Sequence, residues 1–191
     1  PPLYGGLLSL PKFKQSDLTF VKGFFSGAAP MALETINALK DATGADVVEA
    51  YGMTESTTMI TLTPWRGRLK PGSVGVPLPD TDLKIVDLDT GTREMPIGEE
   101  GEVIFKGPQM CRGYYNKPEE TANSIRDGWF YTGDIGKMDE DGYVYIVDRK
   151  KDMIIAGGFN IYPRDIDEVL FEHPKVQEAC AIGVPDTYRG E

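Results

Sequence analysis

Histidine occurs once and cysteine twice in these 191 residues, and no basic run exceeds Arg149-Lys150-Lys151. Each scarcity removes a class of function. Cys111 and Cys180 lie far apart without a CxxC pair, and one histidine cannot complete a Cys/His zinc cluster, so neither a disulfide framework nor a zinc site staples the fold. Both cysteines read as small core residues. A serine or cysteine hydrolase triad would have to use His173, which precedes a proline at a helix end, and the chain contains no GxSxG or comparable nucleophile motif. With 30 acids against 20 bases the net charge is −10, which argues against the clustered positive footprint of a nucleic-acid surface. No run approaches the ~20 apolar residues that span a bilayer, and the N-terminus lacks the charged-then-apolar pattern of a signal peptide. The expectation is a soluble, cytoplasmic protein with no nucleic-acid partner and no transmembrane segment.

Glycine is plentiful, at 22 residues, which implies many loops. The length suits one domain or a little more, by the rule of roughly 100–200 residues per domain. The chain opens at Pro1-Pro2-Leu3 and stops at Arg189-Gly190-Glu191, soon after an apolar stretch, so a piece of something longer is expected.

The first third alternates strand and helix. Leu18 to Ser26 reads as a strand ending at Gly27-Ala28-Ala29-Pro30, and the apolar stripe of Leu33, Ile36 and Leu39 predicts a helix that Gly44 stops. Val47 and Val48 begin a second strand. Strand, helix, strand with short connections predicts a parallel α/β unit, whose ligands sit beyond the carboxyl ends of the strands. After about Trp65, Gly and Pro recur between β-rich runs at Leu83–Val86, Glu102–Phe105 and Tyr143–Val147, which reads as antiparallel β. A short helix is expected at Lys117–Ala122 and another from Pro163, its apolar face formed by Ile166, Val169, Leu170 and Phe171 and its end set by His173-Pro174. Val176 to Val184 reads as a final strand.

Three motifs carry chemistry. Tyr51-Gly52-Met53-Thr54-Glu55 gathers an aromatic ring able to stack on a purine, a glycine permitting close backbone approach, a hydroxyl for a phosphate oxygen and a carboxylate for Mg2+. The plainer alternative is a loop with a threonine N-cap and a solvated glutamate. Tyr131-Thr132-Gly133-Asp134 ends in a carboxylate able to accept from both ribose hydroxyls, or is an ordinary Gly-Asp turn. Asp148-Arg149-Lys150-Lys151-Asp152 is either a solvated charge run or a linker whose arginine reaches a ligand.

Taken in order, Ser26-Gly27-Ala28-Ala29-Pro30, Tyr51 to Glu55, Gly101-Glu102-Val103, Gly113-Tyr114-Tyr115, Tyr131 to Asp134, and Asp148-Arg149 with Gly157-Gly158 resemble the adenylate-forming superfamily over nearly the whole chain. The nearest likeness is to long-chain fatty acid–CoA ligases, on Gly142 to Ile154 and Gly183 to Glu191. The resemblance implies a mixed α/β fold: residues 1–66 ending the α/β part of a large N-terminal AMP-binding domain, 67–150 a β-rich, barrel-like subdomain, and 151–191 the start of a small α+β domain beyond a hinge. It also implies roles. Gly27, Ala28, Ala29, Pro30 and Tyr51 with Gly52 would enclose adenine, Thr54 would touch the α-phosphate, and Glu55 would coordinate Mg2+. Asp134 would hold the ribose and Arg149 the nucleotide, Lys151 would be the hinge, and Gly157-Gly158 would line the path of coenzyme A. Asp165-Ile166-Asp167 stands where the family usually has Glu-Ile-Glu. The family's phosphate loop and adenylating lysine are not in these residues, so the chain by itself is expected to be inactive. The implied reaction activates a fatty acid with ATP and passes it to coenzyme A. An aryl- or short/medium-chain acyl-CoA ligase and a non-catalytic nucleotide-binding module are the other readings.

Overall fold

The computed structural model describes residues 1–29, 31–171, 173, 175, 176 and 179–191. Pro30, expected at the adenine loop, and Pro174, expected to close the last helix, lie outside the described residues.

Two short helices, α1 (Pro2–Ser9) and α2 (Pro11–Gln15), each start on a proline, which suits a first helical position because the amide it lacks has no intrahelical partner there. The α/β unit follows: β1 (Gly23–Ser26), α3 (Leu33–Thr43) and β2 (Asp46–Tyr51). β1 begins later than expected, at Gly23. β1 and β2 are parallel, with Ser26 beside Glu49, as the strand–helix–strand pattern requires. α3 turns Ile36 and Leu39 inward while Leu33 stays exposed. Met31, Leu39 and Val47 form the first core, covered by Tyr4, Leu8, Phe13, Phe24 and Ile36.

β3 (Thr61–Leu62) and β4 (Val76–Pro77) continue this sheet antiparallel, in the order β1-β2-β3-β4. The segment between them is clamped to the far end of the chain's β region. Lys70 reaches Asp139 and, at 2.7 Å, Asp141, and lies over the Tyr143 ring.

The second sheet is antiparallel throughout, built from β5 (Asp82–Val86), β6 (Gly101–Lys106), β7 (Ile125–Arg126), β8 (Trp129–Met138) and β9 (Val144–Arg149) in the order β5-β6-β8-β7, with β9 also on β8. α4 (Pro118–Ser124) precedes β7 and carries Glu119 and Glu120 in its first turn, where negative charge meets the positive end of the helix dipole. Ile60, Phe105 and Phe130 form the second core, against which Tyr51, Met53, Met110 and Cys111 pack. Residues from both sheets thus share it.

Beyond Arg149 a turn leads to the hairpin β10 (Ile154–Ala156) and β11 (Phe159–Ile161), joined through Gly157-Gly158, and then to α5 (Pro163–Phe171). α5 docks on β9, where the Arg164 guanidinium donates to Ile146 O at 2.8 Å and its amide to Asp148 Oδ2 at 3.1 Å. Burial, reinforced by a hydrogen bond to Glu100, pushes the phenol of the adjoining Tyr162 up to about 12.

Two expectations are corrected at this end. Residues 179–185 form no strand, and residues 177–178 lie outside the described residues, so the final strand from Val176 to Val184 is not present in that stretch. Cys180 is consequently exposed rather than a core residue, whereas Cys111 is half-buried against the second core. The apolar residues of α5 do lie at helical spacing, but Ile166, Val169, Leu170 and Phe171 are all exposed.

Candidate functional site

The two sheets meet at a cavity of about 870 Å³ at the carboxyl ends of β1 and β2. Its first wall is the turn after β1. Ala28 holds φ of 67° there, and Ala28 and Ala29 line the space. Gly27 does not line it and packs below, where an added Cβ would come 3.3 Å from Ala50 O. Ser26 is buried, lines the cavity, and its hydroxyl has no hydrogen-bond partner among the described residues. An unpaired buried hydroxyl costs free energy unless something fills the partner's place, so this wall suits a polar ligand.

The second wall is the loop after β2. An added Cβ at Gly52 would lie 2.1 Å from Thr58 O, so only glycine lets the chain double back at that point. The loop then closes into a 3-10 turn, Thr54–Ser56, pinned by Ser56, whose hydroxyl accepts from Met53 N at 3.0 Å and donates to Met53 O at 2.9 Å. The capping hydroxyl is therefore that of Ser56, and Met53, not Thr54, is the N-cap. Thr54 is exposed and outside the lining, while Glu55 lines the cavity. Glu55 is held from both ends: Cys111 N donates to its carbonyl at 2.7 Å, and the Tyr114 hydroxyl donates to Oε1 at 2.8 Å. Burial raises the Tyr114 phenol above its usual range, and the bond to Glu55 adds to this, so Tyr114 remains the donor.

Opposite stands β8. Between the pairs Glu102–Ile135 and Ile104–Tyr131, Val103 alone faces Thr132, Gly133 and Asp134, so β8 bulges toward the cavity at these residues. Gly133 takes φ of 73° within the bulge. Three contacts hold it: the Thr132 hydroxyl donates to Val103 O at 2.7 Å, Gly133 N donates to Glu102 Oε1 at 3.1 Å, and Lys150 N donates to Gly133 O at 2.8 Å. Asp134 emerges beside Arg149, its direct cross-strand partner. The Tyr51 hydroxyl donates to Asp134 Oδ2 at 2.6 Å across 83 residues of chain. Burial raises the Asp134 carboxyl above the usual aspartate value, against the opposing effects of Tyr51 and Arg149. Burial, together with the neighbouring Asp134 charge, also pushes the Tyr51 phenol well above its ordinary range, so the proton stays on Tyr51.

The structure thus brings Ala28, Ala29, Tyr51, Gly52, Glu55, Asp134, Arg149 and Lys151 to one cavity. It does not bring Gly27, Thr54, Gly157 or Gly158 to the lining, and the last two form the tip of the β10–β11 hairpin. Lys151 is exposed in the turn after β9, where Asp152 N closes on Arg149 O at 3.0 Å. Sequence reasoning gave no role to Ser26, Glu49, Glu102, Tyr114, Lys150 or Arg164, which also line the space. Glu102 carried a signal, being a carboxylate within an apolar run. Glu49 carried another, since it shares a strand face with Tyr51, two residues away. Burial raises the Glu49 carboxyl above its usual value.

Among the described residues no cluster of three His, Cys, Asp or Glu side chains is placed to hold a metal ion. One cavity carboxylate, Glu55, fits an ion that arrives with a phosphate chain, because Mg2+ characteristically takes one or two protein carboxylates and keeps its other positions for substrate phosphates and water. No helix among the described residues is long and apolar enough to cross a membrane.

Residues 1–115 match the family described as AMP-binding enzyme. The whole chain is 49% identical to a long-chain-fatty-acid–CoA ligase of Bacillus subtilis (strain 168), covering 34% of that protein, and 38% identical to a feruloyl-CoA synthase of Amycolatopsis sp, covering 38% of it. The chain spans about a third of the length of the curated relatives it matches. Among solved structures, ATP-bound MatB from Rhodopseudomonas palustris superposes over the entire chain with a TM-score of 0.90 at 41% identity, the chain covering 38% of it. The apo form of the same protein gives 0.78.

Proposed function

Because the chain belongs to the AMP-binding enzymes, we propose that its cavity holds the nucleotide of an ATP-dependent acyl-CoA ligase whose acid substrate is a long-chain fatty acid. The observation that carries this reading is the joined set of Tyr51, Asp134 and Arg149 facing Glu55 across one cavity. The ATP-bound neighbour that superposes over the whole chain supports it, and the Bacillus subtilis relative supports the fatty acid. The proposed organisation is a large domain ending near residue 66, a β-rich subdomain over 67–150, a hinge at Lys151, and a small domain from there onward, in a cytoplasmic enzyme.

In the first half-reaction a fatty carboxylate oxygen bonds to the α-phosphorus of ATP and the bond to pyrophosphate breaks, giving acyl-AMP. In the second, the thiolate of coenzyme A bonds to the acyl carbon and AMP leaves. Asp134 accepts from the ribose hydroxyls, and the Tyr51 hydroxyl fixes its carboxylate for that purpose. Ala28 and Ala29 are assigned to the backbone edge for adenine, with Tyr51 and Gly52 opposite and Gly27 packed beneath the turn. Arg149 offers charge to the nucleotide, and Thr54, exposed outside the lining next to Glu55, is assigned to the α-phosphate. Glu55, steadied by Tyr114, is the carboxylate for Mg2+, which when bound disperses the negative charge of the phosphates. Gly157 and Gly158 are assigned to the coenzyme A path in the arrangement that follows hinge rotation.

The test is pyrophosphate release by the complete enzyme carrying this chain, offered palmitate, ferulate or acetate with ATP and Mg2+. Palmitate is expected to be used best, and Asp134→Ala to raise the KM for ATP. Preference for ferulate would instead favour the aryl-acid reading that the Amycolatopsis relative suggests, and nucleotide binding with no pyrophosphate from any acid would leave a binding module.

A further inference from the structure

Glu102 is buried in β6, a strand otherwise composed of glycine and apolar residues up to its final lysine. Both of its carboxylate oxygens are engaged. Oε1 accepts the Gly133 amide at 3.1 Å, and Oε2 pairs with the Lys150 ammonium at 2.9 Å. Lys150 closes the ring by donating its own amide to Gly133 O at 2.8 Å. Three residues from three strands or strand ends are thereby locked together. Two of them are one step from something the nucleotide would meet: Gly133 precedes Asp134, and Lys150 lies between Arg149 and Lys151. With the Lys150 side chain partly exposed, the pair adds little to stability by itself. What a paired carboxylate that also accepts from a backbone amide does supply is a fixed direction for that amide.

We propose that Glu102 is a positioning residue of the nucleotide site, which through Gly133 and Lys150 sets the β8 bulge so that the Asp134 carboxylate faces the ribose. This inference rests on the nucleotide reading given above. Glu102 is bonded to Gly133 and Lys150, the neighbours of Asp134 and Arg149, so its influence passes through the ribose contact. Disturbing it blunts recognition of the ribose hydroxyls more than it slows turnover.

The experiment measures KM and kcat of the complete enzyme for ATP and for 2′,3′-dideoxy-ATP, in the parent and in Glu102→Gln, Lys150→Met, Lys150→Arg and Asp134→Ala, with Glu102→Gln also combined with Asp134→Ala. Glu102→Gln is expected to raise the KM for ATP about tenfold while moving that for the dideoxy nucleotide less than about twofold and leaving kcat nearly unchanged. Combined with Asp134→Ala, it is expected to add nothing. Lys150→Met keeps the Glu102–Gly133 bond but frees the second oxygen, so it loses the same discrimination to a lesser degree and Lys150→Arg restores it. Equal loss for both nucleotides, undiminished loss on the Asp134→Ala background, or unchanged discrimination in Glu102→Gln overturns the proposal. If Glu102→Gln does not fold, the Lys150 pair decides: unchanged discrimination in Lys150→Met overturns it. An Asp134→Ala enzyme with an unaltered KM for ATP would instead refute the ribose reading itself.

Discussion

Asp134→Asn is expected to do two opposite things, because the same carboxylate is assigned to bind ribose and is uncomfortable where it stands. Burial raises its folded-state carboxyl above the ordinary value, despite the Tyr51 hydroxyl and Arg149. A carboxyl whose folded pKa lies above its unfolded one favours folding when protonated, and that favour is lost as pH rises through the folded value. At pH 7 the charged form is therefore a cost to the fold. Asparagine is nearly isosteric, still accepts from Tyr51, and carries no charge, so the variant is expected to be more stable than the parent at neutral pH. The advantage should shrink as pH falls toward the unfolded aspartate value of 3.8 and vanish below it. Nucleotide binding should move the other way. Hydrogen bonds to a charged acceptor contribute about 1.5–3 kcal/mol and those to a neutral one about 0.5–1.5 kcal/mol, so two ribose hydroxyls together lose about 2–3 kcal/mol, or roughly 30- to 150-fold in Kd. Urea denaturation of the 191-residue chain between pH 3 and 8 measures the first effect, and calorimetric ATP titration of the complete enzyme the second. A variant less stable than the parent at pH 7, or one whose stability gain grows on acidification, would show that burial is not what dominates at Asp134.

Gly52→Ala places a methyl 2.1 Å from Thr58 O and 2.6 Å from Met59 Cα, both backbone atoms, so the loop from Tyr51 to Ile60 must open. Loss of at least about 2 kcal/mol in stability and of measurable ATP binding is expected, read by thermal melting and titration, and a parent-like melt would discount the clash. Lys151→Pro acts on the proposed hinge, because a residue preceding proline is pushed to extended geometry and Lys150 would be driven out of the turn that Asp152 N closes on Arg149 O. Acyl-adenylate formation and thioester formation, timed separately, should respond unequally by more than about tenfold. Lys151→Ala should spare both, and equal losses in the proline variant would count against the hinge.

The elements that the sequence disclosed best were those with a strong local rule. α3 carries its apolar stripe from Ile36 to Leu39 and stops before Gly44, and β1 and β2 are parallel because a helix separates them. The cavity lining was legible where chemistry was concentrated in few residues, at Tyr51, Gly52 and Glu55 and at Asp134 with Arg149, though not at Thr54. What was not legible depended on register. Nothing local shows that β8 bulges opposite Val103, yet that one irregularity decides that Gly133 faces Glu102. The Tyr51–Asp134 bond joins residues 83 apart, and no periodicity encodes it. The strand expected at Val176 to Val184 illustrates the converse: β-branched residues favour strands only when a neighbouring edge pairs with them, and residues 179–185 have none here.

The exposed side of α5 also bears on how the chain behaves as a solute. Ile166, Val169, Leu170 and Phe171 recur at helical spacing and face water together, which gives this helix one oily flank beside a charged one. A net charge of −10 keeps molecules apart at low ionic strength by mutual repulsion. Salt at about 0.15 M shortens that repulsion to about 8 Å, within which apolar flanks can touch. The colloidal stability of the 191 residues is then a contest between a long-range term that salt weakens and a short-range one that it leaves intact.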